Sequence, residues 1–254
     1  MPRFIHAADL HLDSPLKGLA RYEGAPAEAV REASRRALEN LVALAVERRP
    51  DFVLIAGDLY DGDWKDYNTG LYFVGQMAAL DRAGIPVLLL HGNHDAASHM
   101  TRSLRLPGNV FTFPTDAPYS RILNECRTVV HGQGYAQRQV TENLAAGYPA
   151  PHPGFFNIGL LHTSLETPGA DKRYAPCAPA DLVARGYDYW ALGHRHNCQV
   201  LAENPPVLFC GAAQGRDVAE PGPHACVWVA AEAGRVSWEL VHLDVLRWVV
   251  QSPP

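Results

Sequence analysis

The residues best suited to chemistry in this chain fall into five clusters, each placed just after an apolar run. Asp9 and His11 follow "RFIHAA", Asp58 follows "FVLIAG", Asn93 lies in "LLLHGNHD", His162 in "LLHTS", and His194 with His196 in "ALGHRH". The inventory is two carboxylates, four imidazoles and one amide oxygen, with no thiolate. Such a set suits a hard or borderline divalent ion such as manganese, iron or zinc. One ion has no use for all of these donors. Two ions roughly 3.5–4 Å apart, sharing one carboxylate, would use them, and such a pair clamps the attacking and leaving oxygens of an in-line displacement at phosphorus. Asp58 is the expected bridge, because Gly57 before it lets the chain turn and present the carboxylate between both ions.

Each cluster has an ordinary reading as well. Gly-Asp after a strand is commonly only a turn. "GHRH" is more specific, since residues i and i+2 of an extended segment point the same way. His94 is held beside Asn93, so it could stand near the ions without being a ligand and donate a proton to a leaving oxygen or stabilise charge on phosphate. Asp95 is expected to orient a nearby histidine or backbone group. His91, which closes its strand two residues before Asn93, is expected to support the ligands from behind. His6, inside the first strand, reads as a hydrogen-bonded core histidine. His99, His131, His152, His224 and His242 belong to no constellation and are read as structural or solvent-facing.

These residues need a scaffold that brings them together. "RFIHAAD" reads as a strand, and residues 30–49 carry Leu38, Leu41, Val42 and Ala45 at helical spacing before Pro50 stops them. "DFVLIAGD" is a buried strand, and residues 64–82 a second helix that leads through Gly84 to "IPVLLLHGNHD". Strand, helix, strand, helix, strand is the pattern of right-handed crossovers around a parallel sheet covered on both faces. In such sheets ligands bind at the carboxyl ends of the strands, so groups distant in sequence converge there. Beyond Asp95, residues 106–118 and 147–154 read as loops and residues 180–185 as a short helix. "CRTVVHGQGY", "FFNIGLLHTS", "PPVLFCGAA", "HACVWVAA" and "VSWELVHL" read as strands.

Composition bounds the function class. With 254 residues and 47% hydrophobic content, the chain is expected to form one compact domain over residues 1–254 with a full core. No apolar run approaches the roughly 18 residues that span a bilayer, and the N-terminus lacks a signal-peptide core. A cytoplasmic protein with no membrane partner is expected. The five cysteines are odd in number, widely spaced and without a C-x-x-C pair, so free, partly buried thiols are expected. A net charge of -5 argues against a globally basic nucleic-acid binder but leaves room for a local basic groove.

The blocks "DLH" (9–11), "GDLYD" (57–61), "GNHD" (92–95), His162 and "GHRH" (193–196), in that order, resemble the calcineurin-like metallophosphoesterases over residues 3 to about 243. "HAADLHLDSPLKGL", "YAPC" (174–177) and "YDYWALGHRH" are similar to the bacterial DNA-repair exonuclease branch related to SbcD. The resemblance implies an α/β fold, a four-layer α/β/β/α sandwich of two mixed sheets flanked by helices. It further implies one ion on Asp9, His11, Asp58 and His196, another on Asp58, Asn93, His162 and His194, His94 as the catalytic histidine, and Asp61 supporting them. The expected activity is hydrolysis of phosphodiesters by a hydroxide activated between the two ions, with DNA as substrate and an SbcC-like ATPase as partner; a dimer is open.

Two other functions stay open. A phosphodiesterase or phosphatase for small nucleotides or other small phosphoesters is favoured by the acidic balance. A non-catalytic scaffold would be marked by a lost ligand, and none is lost. The chain also departs from the branch in two places. SbcD-like nucleases continue into a capping region, which is expected to be absent from a chain ending at Pro254. The "QGR" turn is flanked by Ala212, Ala213 and Asp217 where the branch has an Asn and a His, so Gln214 and Arg216 could touch phosphate or merely join strands.

Overall fold

Apolar runs with no polar alternation need cover on both faces, and the chain supplies it with two stacked sheets. The structure, a computed structural model, describes residues 1–14, 27–61, 67–98, 104–166, 173–232 and 234–251. In the first sheet β1 (Arg3–Ala7), β2 (Phe52–Ile55), β3 (Val87–Leu89) and β4 (Val110–Thr112) run parallel. The hairpin of β11 (Ala225–Glu232) and β12 (Arg235–His242) extends it antiparallel beside β1. The second sheet holds β6 (Thr128–Gly132), β7 (Phe156–His162), β8 (Tyr189–Gly193) and β10 (Pro206–Phe209) in parallel. Its antiparallel edges are β5 (Tyr119–Leu123) and β9 (Gln199–Glu203).

The period of two along each strand sorts the core into layers. Ile5, Val53, Ile55, Val87 and Leu89 meet Leu38 and Leu41 of helix α1 (Ala27–Arg48) and Met77 and Leu80 of α2 (Tyr67–Arg82). Phe4, Phe52, Leu54 and Leu88 point the other way, against Val130, Ile158, Leu160 and Leu208 of the second sheet. That sheet's outer face, with Trp190, Leu192 and Phe209, is covered by Tyr148 and by Leu182 of the short helix α3 (Pro179–Ala184). The result is four layers, α/β/β/α. Each fully buried Leu, Val, Ile or Phe contributes about 1.5–3 kcal/mol, so the seam between the sheets fixes their mutual position strongly.

The first sheet is covered on both faces, by helices on one and by the second sheet on the other, as the α/β/β/α resemblance implies. The reason lies in chain direction, because β5 to β10 return on that face and bring their own apolar side before β11 and β12 rejoin the first sheet. His6 lies in this seam, with Nδ1 3.0 Å from Tyr189 Oη and Nε2 3.1 Å from Leu192 O. Burial lowers its pKa to about 3, so it is the neutral core histidine the sequence suggests.

Some boundaries differ from the sequence reading. Residues 106–118 contain strand β4 where a loop was expected, and β5 and β9 had no sequence signal. All three are edges or hairpin strands with half-exposed residues, so they carry no continuous apolar run. The first helix spans Ala27–Arg48 and the second begins, among the described residues, at Tyr67; Trp64 and His99 lie outside the described residues. Cys126, Cys177, Cys210 and Cys226 are buried and Cys198 is exposed. Among the described residues, no helix is long and apolar enough to cross a membrane.

Candidate metal centre

All the candidate ligands emerge from the carboxyl ends of parallel strands: Asp9 and His11 after β1, Asp58 after β2, Asn93 after β3, His162 closing β7, His194 and His196 after β8. They gather into two groups. In one, Asp9 Oδ1 is 3.9 Å from Nε2 of both His11 and His196, and those nitrogens are 3.2 Å apart. In the other, His162 Nε2 lies 3.0 Å from Asn93 Oδ1 and 3.2 Å from His194 Nδ1, and Asn93 Oδ1 is 3.1 Å from His194 Nδ1. A single oxygen, Asp58 Oδ2, faces both groups, 3.9 Å from His11 Nε2 and 3.4 Å from His162 Nε2.

These contacts bring acceptors together, which fits a cation. His162 Nδ1 donates to Ala56 O at 2.8 Å, which leaves Nε2, facing the Asn93 oxygen, as the nitrogen that can give up its proton to an ion. His196 Nδ1 donates to Glu220 Oε1 at 2.5 Å and likewise turns the lone pair of Nε2 toward His11. Asp9 Oδ2 accepts from His194 N at 2.9 Å, while its Oδ1 is buried with no hydrogen-bond partner. A buried carboxylate oxygen without a partner is costly, and divalent ions on Asp, His and Asn donors would remove that cost at both groups.

Burial opposes a charge on His162, but Asp58 and Asp9 outweigh it and push the pKa up to about 9. Burial and the neighbouring His162 bring His194 down to about 3. Burial also opposes ionisation of Asp58, yet His162, His11 and His94 hold it well below the usual carboxylate range. Because ions and protons compete for the same nitrogens, uptake of metal displaces a proton.

Backbone conformation aims these side chains. Asp9, His11, Asp58 and His194 have φ values of 52°, 43°, 54° and 111°, in the left-handed region. Gly57, with φ 91°, supplies the turn expected before Asp58. Gly92 serves differently from Gly57, since its φ lies outside the left-handed region. A Cβ there would stand 2.3 Å from Asp58 Oδ1 and 2.8 Å from Asp58 N, so glycine permits a close approach of two loops. Gly92→Ala is therefore expected to separate Asp58 from Asn93 and lower manganese uptake below two ions per chain with an unchanged far-ultraviolet dichroism spectrum. A variant that still takes up two would show that the loops yield.

Asp95 joins the same loops. Its Oδ1 accepts from Leu59 N at 2.9 Å and Tyr60 N at 3.1 Å, and its Oδ2 from Gly92 N at 3.0 Å. It orients backbone, and burial together with Asp58 raises its pKa. His91 connects through its carbonyl, which accepts from Tyr135 N at 2.9 Å, and Tyr135 Oη donates to His162 O at 2.8 Å.

His94 stands beside the ligand groups, its side chain 29% exposed where that of His11 is 0%. Its backbone N donates to Asp58 Oδ1 at 2.9 Å, and its Nδ1 is 2.6 Å from Asp61 Oδ1. Asp61 Oδ1 also lies 3.5 Å from His11 Nδ1, while Ser14 Oγ donates to Oδ2. Burial opposes a charge on His94, but Asp61 and Asp58 outweigh it and raise the pKa. His11, Asp61 and His94 are close enough to hold an ion of their own. His11 already turns Nε2 to the first group, and a second metal on Nδ1 would demand loss of its last N–H. Support of two imidazoles by a carboxylate is the better chemistry.

The "QGR" turn divides. Gln214 is buried and bonded to backbone: its Nε2 donates to Leu246 O at 2.6 Å, and its Oε1 accepts from Val245 N at 3.0 Å. Its amide is consumed in holding the segment after β12, which is the strand-joining alternative of the two left open by the sequence. Arg216 does lie beside the site, between Asp61 and Glu220. Glu220, the partner of His196, was missed by sequence reading. A lone acid in a Pro- and Gly-rich loop carries no spacing signal.

Two groups of acceptor atoms joined by one aspartate, at the carboxyl ends of strands in an α/β/β/α sandwich, are the arrangement of the metallophosphoesterase class. The chain belongs to the calcineurin-like phosphoesterase family, whose sequence profile matches residues 2–198. It is 34% identical over 249 residues to the uncharacterized metallophosphoesterase YhaO of Bacillus subtilis, covering 96% of this chain and 61% of YhaO. It is 41% identical over 98 residues to the DNA double-strand break repair protein Mre11 of Aeropyrum pernix, covering 39% of this chain and 22% of that protein. The chain thus spans less than two thirds of either relative's length. A dimetal phosphatase from Danio rerio shares the fold with a TM-score of 0.58 at 13% identity, over 96% of this chain and 99% of that one.

Proposed function

We propose that this chain is a dinuclear-metal phosphodiesterase acting on DNA, an exonuclease or endonuclease of DNA repair, with manganese the foremost metal. The observation that carries the metal reading is Asp58 Oδ2, which faces both ligand groups while Oδ1 holds the backbone of His94. The nuclease reading is supported by similarity to a double-strand break repair protein. Asp9, His11, Asp58 and His196 would hold one ion, and Asp58, Asn93, His162 and His194 the other. When bound, the ions acidify a water and neutralise charge on the phosphoryl oxygens. With Nδ1 paired to Asp61, His94 keeps Nε2 to meet the phosphoester and protonate the leaving oxygen. A cytoplasmic setting and an SbcC-like ATPase partner belong to the same proposal.

The net charge of -5 favours a second substrate class, small nucleotides or other small phosphoesters. Purified protein with added manganese decides between them on linear single- and double-stranded DNA, bis-p-nitrophenyl phosphate, p-nitrophenyl phosphate and cyclic nucleotides. Low salt is needed, because phosphate contacts weaken steeply as salt rises. Manganese-dependent cleavage of DNA and of the diester is expected. Turnover of small esters with none of DNA would replace the substrate.

A further inference from the structure

We infer that Arg216 is a positioning residue that braces the two carboxylates behind His94 and His196, and so ties the proposed catalytic histidine to one of the ion positions. The inference rests on the metal reading above. Arg216 Nη2 donates to Glu220 Oε1 at 3.0 Å and its backbone N to Glu220 Oε2 at 2.8 Å. From the same guanidinium, Nη1 reaches Asp61 Oδ2 at 3.5 Å. Glu220 Oε1 is the atom that accepts from His196 Nδ1, and Asp61 Oδ1 is the atom paired with His94 Nδ1. One cation therefore spans a carboxylate after β2 and another before β11, and each of these holds an imidazole.

Geometry separates this role from a phosphate contact. Both terminal nitrogens of the fork are engaged with carboxylates, and Nε is buried away from solvent with no partner. Side chains of Arg216, Asp61 and Glu220 are 19%, 17% and 12% exposed, so solvent screens the brace less than it screens a surface ion pair. The turn that carries Arg216 is fixed as well. Gln214 ties it to residues 245 and 246, Trp248 Nε1 donates to Gly215 O at 3.3 Å, and His224 Nδ1 lies 3.2 Å from Ala212 O. A planar fork presented from a locked turn can span two carboxylates at once, where a lysine ammonium offers only a point charge.

Without the guanidinium, Glu220 and Asp61 lose their common partner and His196 and His94 lose their fixed aim. Outer partners of metal-binding histidines are worth about 10- to 100-fold in metal affinity. Calorimetric titration of manganese into wild type, Arg216→Gln, Arg216→Lys and Glu220→Gln, with kinetics on bis-p-nitrophenyl phosphate at saturating metal, tests the role. Arg216→Gln should weaken one of two classes of ion by about 10- to 100-fold and lower kcat with KM little changed. Arg216→Lys should recover part of the loss. Glu220→Gln should weaken the same class, and the double variant should be no worse than the poorer single one. A raised KM with unchanged manganese affinity would make Arg216 a phosphate contact and overturn the inference, as would strictly additive losses. Wild-type protein that takes up no manganese would instead sink the metal reading on which this one stands.

Discussion

Asp58→Asn is expected to remove turnover of every phosphoester, by on the order of 10³-fold or more, the equivalent of about 4 kcal/mol of transition-state stabilisation. The substitution keeps size and shape, so the loss would be chemical. One oxygen of Asp58 accepts from His94 N and the other faces His11 and His162. An amide that keeps the first bond must turn an NH₂ toward the lone pairs of the second position. It also removes the negative charge that two cations would share. Elemental analysis should find fewer than two manganese ions per chain. A variant that retains two ions and normal turnover would show that Asp58 is no bridge.

His94→Ala should have a different signature. His94 touches Asp58 only through its backbone N–H, which alanine keeps, and its imidazole is paired with Asp61. Both ions should therefore remain, while kcat falls by about 10²- to 10⁴-fold, the usual contribution of a general acid. The loss should be smaller on esters with good leaving groups such as p-nitrophenolate, which need little protonation. Metal analysis that found an empty site in this variant would mean that His94 holds an ion, and the separation of roles would fall.

The contrast between these variants shows what the sequence could reveal. A metal ligand must present a particular atom, so Asp, His and Asn at strand ends are visible as residue types in order. The groups behind them need only accept a hydrogen bond. Ala56 O serves His162 and Glu220 serves His196, and neither a backbone carbonyl nor a lone acid marks itself in the sequence. Gln214 stayed open for the opposite reason, since a side chain equally suited to phosphate and to backbone is here consumed by backbone. The layers were legible where β1 to β3 are buried on both faces and faint at β4, β5 and β9, whose half-exposed residues mix apolar and polar types. Helical spacing in α1 and α2 sufficed to predict crossovers; that one face of the sheet meets another sheet depended on distant strands.

The left-handed backbone at Asp9, His11, Asp58 and His194 sets heat resistance against activity. Each such residue costs about 1 kcal/mol, and a whole domain retains only about 5–15 kcal/mol. Glycine at His11 or His194 would relax the chain while deleting an imidazole, so a search for thermal hardiness alone would drift toward an inert protein. A more robust version of this fold would give up the proposed ligands, and the sequence keeps four left-handed residues where those ligands stand.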